Sequence, residues 1–158
     1  MGAMRGHAFD VVSAPAVTAG AYSAGDIVGG LLTFAVGESN DACVVVTGVE
    51  VAIKAAITSA LKLVLFNADP SSTTKTDNAA YSLAAGDVFK VITVVDFSSA
   101  GAVATDHGTP NTYSVNALNI VCRPANGTPN IYGLLIDGTG FTPTSTSDIQ
   151  VRLRGLGA

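Results

Sequence analysis

Between Cys43 and Phe66 the odd positions read Cys43, Val45, Thr47, Val49, Val51, Ile53, Ala55 and Ile57, then Leu61, Leu63 and Leu65, while Glu50, Lys54 and Lys62 fall on even ones. Successive side chains of a strand point to opposite faces, so a period of two buries one face and wets the other. The stretch predicts two long antiparallel strands joined by a short turn around Thr58-Ser59-Ala60, with the remaining chain covering their apolar face. A helix competes, because Val49, Ile53, Ala56, Ile57, Ala60, Leu61 and Val64 also fit spacings of three and four. The β-branched residues of Val44–Ile53 and the strict alternation of the charges favour strands.

The rest of the chain supplies further strands and turns. Phe9–Ser13 reads as a short first strand. Val28, Leu32, Phe34 and Val36 share the even face of a second, and Gly29-Gly30 inside it predicts a bulge or a close approach by another backbone. Gly37–Asp41 is a polar turn. After Asn67-Ala68-Asp69-Pro70 comes a Ser/Thr-rich loop, Ser71–Asp77, and then one helical turn within Asn78–Asp87 with Asn78 or Ser82 as its cap. Val88–Phe97 reads as a strand with Phe89, Val91, Val95 and Phe97 on one face. A long loop, Ser98–Asn111, precedes the strand Thr112–Cys122, and Asn126-Gly127 is a strong turn dipeptide. Ile131–Ile136 is a continuous apolar strand, Asp137–Gly140 a hairpin-type turn, Phe141–Ser147 a crossing, and Ile149–Arg154 a closing strand.

About eight strands with long crossings and no long helix predict an all-β fold, an antiparallel β-sandwich of the jelly-roll type. No repeat of 20 to 50 residues suggests a solenoid or propeller. At 158 residues with no linker, a single domain spanning residues 9–158 is expected behind an N-terminal arm, residues 1–8, that contains Gly2 and Gly6.

Charged residues make up only 13% of the chain and 48% is hydrophobic, against roughly 25% charged in an ordinary soluble domain. Such a surface suits partial cover by partner chains. The net charge of −4 and the scattering of eight Lys and Arg argue against nucleic acid. Arg152 and Arg154, the one local pair, read as a solvated or partner-facing edge. No apolar run approaches the ~20 residues of a membrane helix, and Met1–Asp10 has no apolar signal core, so the chain is expected to be made and kept in a cytoplasm. Cys43 and Cys122 both lie in apolar runs and read as buried free thiols; a disulfide requires neighbouring strands.

Candidate chemistry is thin. Leu134–Gly140 approaches an Asp-Thr-Gly carboxylate motif, but Gly138 separates Asp137 from Thr139 and no second copy supplies a partner. His107 sits in a polar loop with no nucleophile elbow elsewhere. Glu38 and Glu50 do not form a facing glycosidase pair, and no Trp offers a sugar platform. Asp69 and Asp77 flank a loop without the alternating acids of a calcium site. No zinc spacing and no phosphate-cradling loop occurs, so neither catalysis nor a cofactor is expected.

Three phrases, Thr18–Phe34, Leu63–Pro70 with Asp77–Tyr81, and Phe141–Leu153, together resemble a family of small virion structural proteins encoded near the head genes of tailed bacteriophages. The resemblance implies a role in the particle as a capsid decoration, or cement, protein; together with the low charge and the absent catalytic set it leads to the expectation of a homo-oligomer, a trimer, made in the host cytoplasm and placed on the outer surface of the phage head with the major capsid protein as partner. It carries over no catalytic residues. The arm lies outside the resemblance; Met1, Met4, Arg5, His7 and Phe9 are the expected capsid or subunit contacts, because so short an arm buries too little to order by itself. The alternative is a tail or fibre module that binds a host glycan, which the sparse aromatics disfavour. No nucleic acid and no membrane enters either reading.

Overall fold

The computed structural model describes residues 6–37, 43–54, 60–98, 102–106, 111–125 and 127–157. The elements are β1 His7–Ser13, β2 Ile27–Ala35, β3 Val44–Ile53, β4 Lys62–Phe66, a 3₁₀ helix Ala85–Lys90, β5 Val91–Asp96, β6 Ala102–Asp106, β7 Asn111–Cys122, β8 Asn130–Ile136 and β9 Ile149–Gly157. They form two antiparallel sheets, in the orders β1-β9-β3-β7-β6 and β2-β8-β4-β5. Most connections therefore change sheet; only β4 to β5 and β6 to β7 stay within one. Without β6, this is the two-Greek-key order of a jelly roll. The ninth strand, β6, lies within the expected loop Ser98–Asn111 and pairs with β7 from Asp106↔Asn111 to Ala102↔Val115.

The sheets pack around one core that takes Phe9 from β1, Phe34 from β2, Val49, Val51 and Ile53 from β3, Leu63 and Leu65 from β4, Leu135 from β8, and Val151 and Leu153 from β9. The pair predicted between Cys43 and Phe66 is corrected here. Both strands exist, but β3 and β4 lie in opposite sheets and face each other across the core. Periodicity reports which face a strand buries and is silent about its neighbour. The parity also changes midway. Val44 and Val46 point inward, the register shifts between Val46 and Gly48, and Val49, Val51 and Ile53 point inward thereafter. An extra residue in one strand switches every later side chain to the other face. Cys43 is accordingly exposed rather than buried, and Cys122 is buried; both are free thiols. β3 and β7 are neighbours, yet Cys122 is opposite Val44. Burial, with a smaller effect of Cys43, pushes the Cys122 thiol up to about 11.

The four-stranded sheet is apolar on both faces. Its outer side carries a second cluster of Ile27, Val64, Phe66 and Leu134, roofed by Tyr81 and Leu83. The roof belongs to the β4–β5 connection, which also runs along the β2 edge: Ile27 N–H donates to Ala79 O at 2.8 Å, Asn78 N–H to Ile27 O at 2.8 Å and Tyr81 N–H to Gly25 O at 2.8 Å. This explains the unbroken apolar runs of β4 and β8, since a strand covered on both sides loses its alternation.

Three further expectations are corrected. Phe89 lies in the 3₁₀ helix, not in a strand, and is 94% exposed. Neither Asn78 nor Ser82 caps that helix; Ala84 precedes it without a side-chain cap, and Asn78 has φ +57°. Asp137–Gly140 is not a hairpin turn, because β8 and β9 lie in different sheets. The expected bulge at Gly29-Gly30 is present, with a register shift between Val28 and Leu31 and φ of +75° and +73°. At Gly29 a Cβ would stand 2.2 Å from the Cβ of Pro15.

Candidate functional site

The expected contact residues are divided by the structure. Met1, Met4 and Arg5 lie outside the described residues, as do Glu38 and His107. His7 and Ala8 pair with Gly157 and Leu156, so the first strand starts at His7 and the domain begins before residue 9. Phe9 is a core residue at 8% exposure, its ring over Gly155. It cannot serve as an assembly anchor without opening the sandwich.

Arg152 and Arg154 are likewise not on an edge. Strand β9 lies between β1 and β3, and the two guanidinium groups meet Asp10 and Glu50 on the outer face of the sheet. Arg154 Nη2 is 3.2 Å from Glu50 Oε2, Arg152 Nε is 3.6 Å from Asp10 Oδ1 and Arg154 Nε is 3.7 Å from Asp10 Oδ2. Two cations matched by two partly exposed carboxylates hold strands in register, and each pair contributes little. Among the described residues no three His, Cys, Asp or Glu side chains gather as a metal centre. Asp69 pairs with Lys75 at 2.7 Å, and the fully buried Asp137 accepts from the Thr139 amide at 3.2 Å.

What the sequence did not single out is how much the β4–β5 connection is built around two carboxylates. Asp77 Oδ1 accepts from the Tyr22 hydroxyl at 2.6 Å and the Gly29 amide at 2.5 Å. Its Oδ2 accepts from the Thr18 amide at 2.7 Å and hydroxyl at 2.5 Å. Burial pushes this carboxyl up, but the hydrogen bonds from Thr18, Tyr22 and Gly29 outweigh it and the net shift is downward. Tyr22 also stacks on Phe141 with centroids 5.2 Å apart, so one loop residue fastens the β1–β2 connection, the bulge and the β8–β9 crossing together. Burial and the Asp77 carboxylate move the Tyr22 phenol well above its ordinary range.

The second carboxylate, Asp87, lies inside the 3₁₀ helix at 0% exposure. Its Oδ2 accepts from the Ser72 amide at 2.9 Å, the Thr73 amide at 2.7 Å and the Thr73 hydroxyl at 2.8 Å, and its Oδ1 is 2.7 Å from Lys90 Nζ. Lys90 in turn donates to Asp69 O at 2.8 Å. A helix of six residues is too short to persist alone; these bonds hold it. The result is a fixed platform from which Val88 and Phe89 project, at 47% and 94% exposure. The platform leads directly into β5, the edge strand of its sheet, whose Val94 is 51% exposed.

Acid should loosen this scaffold. The Lys90 ammonium holds the Asp87 carboxyl at about 2, against the opposing effect of burial and with help from Thr73 and Ser72. At Asp148 burial pushes upward, but bonds from Ser145 and Thr144 prevail and hold it at about 2 as well. A carboxyl depressed on folding stabilises the fold above its unfolded value, here 3.8, and that contribution is lost as pH falls toward 2. The urea midpoint is expected to be nearly level from neutrality to about pH 5 and to drop steeply below 3.8. Asp148→Asn should flatten part of that drop, whereas a midpoint unchanged down to pH 2 would refute the assignment.

Comparison of the chain with family models, curated proteins and solved structures gives no match in any of the three.

Proposed function

We propose that this protein is a non-enzymatic structural subunit that decorates the outside of a phage head, acting as a homotrimer that binds the major capsid protein. The observation that carries this reading is the Val88-Phe89 platform. A phenyl ring at 94% exposure, on a backbone pinned by Asp87, Thr73 and Lys90, is an aromatic anchor presented with little backbone entropy left to lose. Val94 extends it along an edge strand whose ladder groups on one side are not paired within its sheet. Jelly rolls recur in viral capsid domains, an association of fold and not of chemistry. The phrases from Thr18 to Leu153 that resemble phage virion proteins point the same way.

The test is twofold. Mass spectrometry of purified virions should find the chain in many copies per particle. Phe89→Ser should leave the melting temperature almost unchanged, because the ring touches little of its own protein. Its binding to heads stripped of the subunit should weaken by roughly thirtyfold, the loss of about 2 kcal/mol typical of an aromatic hot spot. Absence from virions, or full binding by the variant, would refute the proposal.

A further inference from the structure

At one end of the five-stranded sheet, where β1 and β3 finish and β7 and β9 begin, lies a half-open cavity of about 320 Å³. Ala52 lines it as the small member of a cross-strand row in which Gln150 and Thr112 flank it. Lys54 and Ser147 stand at the rim, and the Lys54 amide donates to Asp148 O at 3.0 Å, which fixes the strand end against the β9 turn.

The charge of this lip is unusual for the chain. Every other Lys and Arg among the described residues has a polar or ionic partner, including Lys62 with Asp96, Lys75 with Asp69, Lys90 with Asp87 and the two arginines with Asp10 and Glu50. The Lys54 ammonium has none among them, and neither does the Gln150 side-chain amide beside it. The one carboxylate in the lining, Asp148, is 2% exposed and is turned onto its own loop: the Thr144 hydroxyl donates to Oδ2 at 2.7 Å and the Ser145 hydroxyl to Oδ1. Asp148 therefore shapes the lip without neutralising Lys54.

We propose that this cavity binds a carboxylate-bearing ligand of monosaccharide or amino-acid size, with Lys54 as the carboxylate's counter-charge and Gln150 as a hydrogen-bond donor. The volume lies at the small end of the range for ligand sites, about 300–1,000 Å³. An ammonium on a flexible stem at an open rim meets a carboxylate as a point charge, and the neighbouring amide adds direction. This site is remote in sequence from the Phe89 platform, so it stands or falls independently of the head-decoration reading.

The experiment is an amide chemical-shift titration of the full chain with D-glucuronate, D-glucose and N-acetyl-L-glutamate, repeated on Lys54→Gln. Glucuronate should shift the amides of Ala52, Lys54 and Gln150, glucose should not, and Lys54→Gln should weaken binding by about tenfold or more. Binding of glucuronate alone supports an acidic sugar; equal binding of N-acetyl-L-glutamate supports the carboxylate site with an acidic peptide as its source. No shifts with either acid, equal shifts with glucose, or undiminished binding by a folded Lys54→Gln would overturn the proposal.

Discussion

Gly155→Ala is expected to destabilise the fold by about 3 kcal/mol or more, beyond the usual cost of adding one methyl to a core. For a chain of this length that lowers the melting temperature by about 10 °C. Gly155 lies opposite Phe9 in the β1–β9 pairing, at an inward position of β9. An added Cβ would stand 2.1 Å from the carbonyl oxygen of Val45 and 2.5 Å from Phe9 Cζ. The ring can swing away; the carbonyl belongs to a strand held on both sides. Gly157→Ala is the internal contrast, because the atoms in its way, the nearest at 2.4 Å, are those of the half-buried His7 ring, and its cost should stay near 1 kcal/mol. Thermal unfolding followed by circular dichroism checks both. If Phe9→Leu rescues Gly155→Ala completely, the carbonyl contact is not the cause; a Gly155→Ala protein as stable as the parent would dismiss the close approach altogether.

Asp77→Ala should cost about 3 kcal/mol, from four hydrogen bonds that each contribute on the order of 1 kcal/mol net and leave donors behind when lost. The bonds span 48 to 59 residues of sequence, so their loss detaches the β4–β5 connection from the β1–β2 connection and uncovers the second apolar cluster. Partial exposure of the carboxylate keeps the effect from being larger. Asp77→Asn retains one acceptor oxygen and should fall between; Tyr22→Phe removes a single hydroxyl and should cost about 1 kcal/mol. Urea unfolding with hydrogen exchange at Ile27, Asn78 and Tyr81 separates local loosening from global loss. Parental stability in Asp77→Ala would show that the network is ornamental.

Much of the fold was legible because strand burial leaves a local signature. The alternation of Ile149, Val151 and Leu153, the even face of Val28, Leu32, Phe34 and Val36, and the glycine bulge between Val28 and Leu31 all followed from side-chain period and from the φ that glycine alone reaches without strain. The unbroken run Ile131–Ile136 by itself reads only as an apolar strand; its lack of alternation reflects cover on both faces, which the second cluster of the structure explains. At Phe89 the same logic misled. Phe89, Val91, Val95 and Phe97 keep an odd period, yet the Asp87 and Lys90 pair and the Thr73 bonds wind the first of them into a 3₁₀ turn.

The amino-acid sequence by itself determined that this chain is an all-β sandwich of short strands, since period, turn residues and β-branched content act over a few residues and need no partner to be read. It did not determine that β3 pairs with β7 and β9 and not with β4, that Arg152 and Arg154 lie within a sheet, or that Phe9 is core and Phe89 is surface. Those outcomes depend on contacts that a side-chain period does not encode: a bulge that exchanges the faces of β3, a carboxylate at 87 that pins the turn carrying residue 89 through Thr73 and Lys90, and a glycine at 155 that makes room for an aromatic ring at 9. Such contacts are chosen by the fit of the whole core, and only the tertiary structure decides them.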